Sequence, residues 1–428
     1  KEVITVSTLS KNISTEFFGF GDLLAKARVL EVVREKKQVA VALDRSTFYA
    51  EMGGQAGDTG TMSVNGQTWI VTDTQKIGAA FLHYLKGDTA PDQGAEVELA
   101  VDAVRRASIQ RHHTATHLLH WALHEVTSPE STQKGSYVGP GKLTFDFNYQ
   151  PPSSGQVADI ERLVNERILE NELVSSIEMS HEEVRDRDDI LQFFGDKYGG
   201  LVRVVQIGGD IGRLNGYSME LCAGTHTQAT GELGLFHITA ESAIAAGVRR
   251  VEAVTGMVAA QHARADAERI IDLAEMLNSP IKSIEEKILQ ALEQAKKMEK
   301  EIKSIQESRA MDIANELKSK AKTSGGIQFI TANLGEADGN FAQSVADALK
   351  SQFDGVVVLG AIGNDSAVLV ATVSESHIGK VQAGTIVQAI APIVGGKGGG
   401  KPTNARGGGK NPGKLDEALA EVAKVITA

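Results

Sequence analysis

Arg111-His-His-Thr-Ala-Thr-His-Leu-Leu-His120 is the stretch that decides how this chain is read. On a helix, His113 and His117 stand four residues apart and project from one face. His120 and His124 continue the stripe, so spacing alone leaves open which pair acts together. Far downstream, Cys222-Ala-Gly-Thr-His226 offers a thiol and an imidazole, again four apart, on a turn of small residues. Two nitrogens from a helix, with a sulfur and a nitrogen from a tight segment, make a donor set suited to tetrahedral Zn²⁺. A His-rich helix face without metal is the plainer alternative, and a lone cysteine is ordinarily a small hydrophobe. Cys222 is the single cysteine here, and the histidine four residues after it favours the metal.

Bulk properties bound what such a site can belong to. A chain of 428 residues predicts two or three domains, each able to bury its own core. At 42% hydrophobic and 23% charged residues, the composition is that of an ordinary globular protein. No run approaches the ~18 apolar residues of a membrane span. The polar N-terminal stretch lacks the apolar segment of a secretory signal, and the start at Lys1 leads us to expect a piece of a longer protein. One cysteine permits no internal disulfide and fits a reducing, cytoplasmic setting. A net charge of −11 argues against a surface coated with nucleic acid, so phosphate binding would rest on local basic patches.

Along the chain, residues 1–100 read mostly as strands. Ala27–Val33 and Val39–Leu43 are β-rich, and Asn65-Gly66 between Thr61–Val64 and Thr68–Val71 is a two-residue hairpin signal. Phe48-Tyr-Ala-Glu-Met-Gly-Gly-Gln-Ala-Gly-Asp-Thr-Gly60 reads as a glycine-rich connection, or as backbone that must approach a ligand, with Glu51 and Gln55 as polar handles. Residues 101–126 hold the histidine helix, with Leu118, Leu119, Ala122 and Leu123 as its apolar side. A strand over 142–147, a helix over 157–172, a charged helix-like stretch over 182–196 and a strand over 202–207 lead to the Cys222 turn. From Met257 to Lys322 the composition shifts to Ala, Glu, Lys, Ile and Leu. There Ile284, Ile288, Ala291, Ala295, Met298, Ile302 and Ile305 alternate four and three apart, which predicts a helical hairpin or coiled coil. Ser324-Gly-Gly326 is expected to end it. Residues 327–428 alternate strand and helix as a small α/β domain. Inside it, Gly395-Gly-Lys-Gly-Gly-Gly-Lys-Pro-Thr-Asn-Ala-Arg-Gly-Gly-Gly-Lys410 carries four cations and no acid. A flexible linker is one reading. The other is a backbone that approaches phosphates while its lysines neutralise them.

His113-Thr-Ala-Thr-His117 and Glu220-Leu-Cys-Ala-Gly-Thr-His226 resemble the paired metal motifs of alanyl-tRNA synthetase editing domains and their free-standing relatives. The resemblance implies His113, His117, Cys222 and His226 as four ligands of Zn²⁺, with Ala223 where the family usually carries glycine. The segment from Ser46 through Gln55 to Asp58 is similar to the one that precedes the metal helix in that family. That similarity implies a pocket for a misattached serine or glycine, lined by the Ser46 hydroxyl and Gln55; Glu51 and Thr116 are further candidates. Phe194-Gly-Asp-Lys-Tyr198 and Gly247–Gly256 also look like family signatures. Within the second, Arg249 and Arg250 meet tRNA phosphates or pair with nearby acids. The 395–410 stretch resembles the glycine-rich motif of the DHH-associated C-terminal domain of the same family, which implies tRNA binding by Lys397, Lys401, Arg406 and Lys410.

The expected fold is therefore α+β. Residues 1–100 form the β-barrel-like part of an editing domain, 101–256 its zinc-binding α/β core, 257–323 a helical arm or coiled coil, and 324–428 a small α/β tRNA-binding domain. No class II aminoacylation motif is visible, so activation of alanine is not expected. The resemblance implies hydrolysis of the ester on tRNA(Ala) mischarged with serine or glycine; the alternative is a non-catalytic tRNA-binding module with a structural zinc. Heptads on the arm leave room for a homodimer through the arm or the C-terminal domain.

Overall fold

The computed structural model describes residues 13–35, 38–192 and 200–427, so the Phe194–Tyr198 signature lies outside the described residues. Two units divide the chain, Lys1–Ile271 and Asp272–Ala428.

The first unit begins with β1 (Glu16–Phe17), β2 (Leu24–Glu35), β3 (Gln38–Leu43), β4 (Arg45–Ser46), β5 (Gly60–Val64), β6 (Gln67–Ile77), β7 (Ala80–Leu85) and β8 (Glu96–Val101). Six of these close into a barrel in the order β2-β3-β7-β6-β5-β8. Alternation drives closure: Val29, Val41, Leu43, Met62, Val71, Val97 and Leu99 all point inward and are buried. Burying each such side chain contributes about 1.5–3 kcal/mol. The β5–β6 turn holds Asn65 at φ 49° and Gly66 at φ 78°, the two left-handed residues that a type I′ hairpin needs.

The chain then runs through α1 (Ala103–Val126), β9 (Gln133–Val138), β10 (Leu143–Phe147), α2 (Ser154–Leu169), β11 (Val174–Ser180), α3 (His181–Val184), β12 (Leu201–Ile207), β13 (Ser218–Leu221), β14 (Phe236–Ala245), β15 (Val248–Thr255) and α4 (Gly256–Met276). Asp102 caps α1 by accepting from the Arg105 N–H, and Ser153 with Gln156 forms a capping box on α2. Helix α1 is the centre of this half. Leu118, Leu119 and Leu123 pack with Phe145 and Phe147 of β10, Ile160 and Val164 of α2, and Phe236 of β14. The opposite face of α1 is buried too, and that face carries the histidines. Among the described residues, the charged stretch expected over 182–196 is helical only over α3, a single turn.

In the second unit, α5 (Ile284–Lys318) precedes β16 (Lys322–Ser324), β17 (Ile327–Glu336), α6 (Gly339–Lys350), β18 (Val356–Gly363), β19 (Ser366–Val373), α7 (Ala383–Ile390), β20 (Gly396–Lys401), β21 (Asn404–Gly409) and α8 (Leu415–Thr427). The sheet order is β16-β17-β18-β19-β21-β20. Helix α6 and the end of α5 (Ala310, Ala314, Leu317) share one core with the sheet, and α7 and α8 share another. Along α5, Ile288, Met298, Ile302 and Ile305 of the heptad seam are exposed.

Two segments differ from expectation. Ser324-Gly-Gly326 does not terminate the long helix, which stops at Lys318; Gly325 at φ 58° and Gly326 at φ 77° instead make the tight turn between β16 and β17. The glycine-rich stretch is neither linker nor loop but two paired strands on the sheet edge. Its glycines answer to packing. A Cβ on Gly398 would lie 2.4 Å from Val387 Cγ1 of α7, and one on Gly407 would lie 2.6 Å from the same atom. Only bare backbone lets this hairpin lie flat on that helix.

Candidate metal centre

Four side chains from α1 and the turn after β13 meet at one point. Donor atoms of His113, His117, Cys222 and His226 all lie within 4.8 Å of one another. Cys222 Sγ is 3.4 Å from His113 Nε2 and 3.3 Å from His226 Nε2. A tetrahedral zinc with its usual Zn–S and Zn–N lengths separates sulfur from nitrogen by ~3.5 Å, so this donor set fits the ion.

The outer atoms of the three imidazoles are already committed. His113 Nδ1 is 2.7 Å from Gln55 Oε1, His117 Nδ1 is 2.7 Å from Glu220 Oε2, and His226 Nδ1 is 3.2 Å from Thr114 Oγ1. With each Nδ1–H donating outward, each Nε2 lone pair points at the shared centre. His117 Nε2 is buried with no hydrogen-bond partner, and so is His120 Nε2, but only the former shares the point where Cys222 and His226 meet. Protonation within the cluster is mixed: burial opposes charge on His117, but the Glu220 carboxylate raises it to about 10, so zinc must displace a proton there. Burial opposes charge on Cys222, but His113 and His226 hold its thiol well below the ordinary range, as a thiolate. Burial and then His113 lower His226 to about 3, so it is neutral. Glu220, despite its burial, is held below the usual carboxylate range by His117 and His120. The lowered thiol of Cys222 and the neutral His226 are forms that metal binding needs, and His117 reaches its own by releasing a proton.

Within the stripe, His113 and His117 put a nitrogen beside Cys222 and His226. His120 Nδ1 goes to the second oxygen of Glu220 at 3.0 Å, His124 bonds the Ser131 carbonyl, and His112 faces away, accepting from the Thr255 N–H. Ala223 is not in the left-handed region, so alanine is accommodated where the family usually carries glycine.

Loop 48–60 is bolted onto this centre. Asp58 accepts from Arg106 of α1 and from the Tyr49 N–H, and Arg106 also reaches the carbonyls of Gly19 and Thr47. Both members of the pair are buried. Gln55 is shut inside as well: its Oε1 takes the Thr225 N–H besides His113, and its Nε2 donates to Thr225 Oγ1. One amide thereby joins the barrel loop, the helix and the cysteine turn. Arg203 of β12 supports the same turn from below, donating to the carbonyls of Cys222 and Gly224.

Above the cluster opens a cavity of about 900 Å³, lined by Tyr49, Thr116, Arg203 and three of the four candidate ligands, His113, His117 and Cys222. Of the candidate pocket residues, Thr116 lines it, with its hydroxyl on the His112 carbonyl. Ser46 is fully buried with its Oγ 2.7 Å from His83 Nε2, and Glu51 is exposed and bonded to Gln75. Neither Ser46, Glu51 nor Gln55 is among the lining residues. Arg249 and Arg250 are spent on Glu241 and Asp146 in two-bond pairs. Lys397, Lys401, Arg406 and Lys410 are exposed, in the other unit, with Arg406 also donating to Gln343. Sequence reasoning missed Glu220, Thr114, Thr225, Arg106 and Arg203 as supports. The signal for Glu220 was its place two residues before Cys222; for the others there was none.

Comparison with known proteins agrees with this arrangement. Residues 202–252 match the threonyl and alanyl tRNA synthetase second additional domain, residues 326–428 the DHHA1 domain, and residues 6–105, which supply the barrel, the class II (A) tRNA synthetases. Three separate segments of the chain thus match models of aminoacyl-tRNA synthetase domains. Alanine–tRNA ligase of Opitutus terrae is 39% identical over 99% of the chain and 46% of its own length, and that of Idiomarina loihiensis is 38% identical over 96% and 48%. A crystal structure of the C-Ala domain from Aquifex aeolicus alanyl-tRNA synthetase is 25% identical, covers 25% of this chain and 98% of its own, and aligns with a TM-score of 0.24, too low to argue from. The chain is homologous to alanyl-tRNA synthetases over nearly its whole length, and it spans about half the length of the curated relatives it matches.

Proposed function

We propose that this chain carries a proofreading hydrolase, which cleaves the ester of tRNA(Ala) bearing serine or glycine. The observation that carries the reading is the convergence of His113, His117, Cys222 and His226 at the floor of an open cavity. Alanine selection has a chemical need for such a site. A hydrophobic pocket rejects an added hydroxyl or a missing methyl by only ~10²-fold, so a second, hydrolytic sieve is required.

When bound, zinc would fix the geometry of the cysteine turn and of the imidazoles at the cavity floor. Four protein donors form the closed set of a shape-giving ion, so selection falls to the cavity walls. Thr116 presents its hydroxyl there, and Tyr49 a phenol. Burial, then the neighbouring Cys222, holds that phenol well above its ordinary range, so it stays neutral. Its proton goes to the Met52 carbonyl and that of Thr116 to the His112 carbonyl, so each oxygen is left to accept from a seryl hydroxyl. Ser46 and Gln55 act one step back: Ser46 through the packing at His83, Gln55 by setting the His113 ring and the Thr225 turn. Residues 1–100 and 101–256 form the editing part, 257–323 an arm able to pair two copies as a coiled coil, and 324–428 the tRNA-binding part, all working in the cytoplasm.

Deacylation of Ser-tRNA(Ala), Gly-tRNA(Ala) and Ala-tRNA(Ala) tests this. The first two are expected to be cleared and the third spared, and Cys222→Ala to lose zinc and hydrolysis together. The closed ligand set also suits a non-catalytic tRNA-binding module; a chain that clears no ester would leave that second reading standing. Parent-rate hydrolysis by Cys222→Ala would remove the metal from the account.

A further inference from the structure

A misattached amino acid is small, yet the cavity holds about 900 Å³, near the upper end of the ~300–1,000 Å³ of sites that enclose whole organic ligands. Most of that space must take something other than the side chain being tested. Its walls are also unlike the rest of an acidic protein of net charge −11. Among the described residues three cations line the cavity, Lys76, Lys134 and Arg203, against one carboxylate, Glu220, which is buried and turned onto the His117 and His120 rings.

The three cations are not equivalent. Arg203 is turned toward the Cys222 and Gly224 carbonyls and belongs to the scaffold. Lys76 and Lys134 are exposed and carry no ion pair among the described residues. The Nζ of Lys76 lies 3.7 Å from Met52 Sδ, on the cavity wall. Lys134 has a specific backbone cause for its position. In β9, Gly135 faces Asp146 and Gln133 faces Phe147, so Lys134 is the extra residue of a β-bulge. Bulges break the strict alternation of a strand and re-aim a side chain. Beside these lysines, Gly53 and Gly54, at φ 60° and 82°, keep the wall free of side chains, and a Cβ on Gly53 would meet nothing within 4 Å.

We propose that Lys76 and Lys134 bind the phosphodiester backbone at the 3′ end of a single-stranded RNA, and so set how deep its terminal ester reaches toward the metal floor. This rests on the reading that the cavity receives an RNA ester. Both lysines act as positioning residues, since neither is placed at the reacting bond.

The test uses the full chain, zinc-loaded, with the Lys76→Ala/Lys134→Ala double variant. Its probe is a short single-stranded RNA ending in a non-hydrolysable 3′-seryl amide, with affinity followed across salt concentrations. Each phosphate contact to a single strand adds ~0.7 to the slope of log K against log salt, so the double variant is expected to lose about 1.4. Lysine-to-arginine replacements are expected to restore it. Hydrolysis adds a second readout: KM for a seryl ester on a phosphate-bearing oligonucleotide should rise severalfold with kcat kept, while cleavage of phosphate-free 3′-O-seryl adenosine is unchanged. An unchanged salt slope, a parent that does not bind the probe, or equal damage to the phosphate-free ester would each overturn the proposal. Should the parent bind the RNA but cleave neither ester, the hydrolytic reading fails while the slope still decides this one.

Discussion

Gly224→Ala is the sharpest probe of how the centre is built. Gly224 is not in the left-handed region, so the effect is one of contact alone. A Cβ there would stand 2.0 Å from His113 Cε1, 2.4 Å from His113 Nδ1 and 2.8 Å from Gln55 Oε1. Carbon atoms settle at about 3.5 Å, so the imidazole must retreat by roughly 1.5 Å. Metal–ligand distances tolerate about 0.2 Å. Gln55 is fully buried and holds the ring from behind, so retreat along the Nδ1 bond is blocked. Either His113 leaves the ligand set, or the turn withdraws and takes Cys222 and His226 with it. Disturbing a mere outer partner costs ~10–100-fold in metal affinity, so loss of a ligand should exceed about 100-fold. Competition for zinc with a chromophoric chelator measures this, with circular dichroism confirming the fold and seryl-ester hydrolysis expected to fall in parallel. A folded variant whose zinc Kd stays within about tenfold of the parent would refute the proposed geometry.

Other consequences follow from the same contacts. Burial lowers His83 to about 4, beneath the ~6.5 of a free imidazole. Below pH 6.5 the unfolded chain binds a proton that the folded one refuses, so stability falls as pH drops; His83→Gln should flatten the loss between pH 7.5 and 4.5 by about 2 kcal/mol in guanidinium unfolding. Arg106→Met or Asp58→Leu alone leaves a buried charge unpaired and should cost about 3–5 kcal/mol, whereas the double variant should cost less than the sum, as a double-mutant cycle would show. Gly398→Ala drives a methyl into Val387 Cγ1 and the Gly407 Cα, which should cost about 1–3 kcal/mol by thermal unfolding. Val387→Ala should recover part of that loss; an unchanged melting temperature for the single variant would undo the packing account.

Much of this could be read from local pattern. Asn65-Gly66, the β-rich runs of β2 and β3, and the histidine stripe of α1 are short-range signals, because a residue's neighbours in sequence decide its φ, ψ and facing. Spacing and family likeness also brought His113, His117, Cys222 and His226 forward together.

What only the tertiary structure decided is where atoms meet across long separations. Which of the four histidines of α1 share a centre turns on where the fold brings Cys222 and His226, and those two meet His113 and His117. Gln55 has the same chemistry whether it lines a cavity or braces a ligand; burial between α1 and the cysteine turn made it a brace. Arg249 and Arg250 look available for phosphate until β10 and β14 deliver Asp146 and Glu241 to them. A run of glycines says loop to any local rule. It becomes a strand pair because α7 leaves no space above it for a Cβ, and that constraint is written in Val387, outside the run itself.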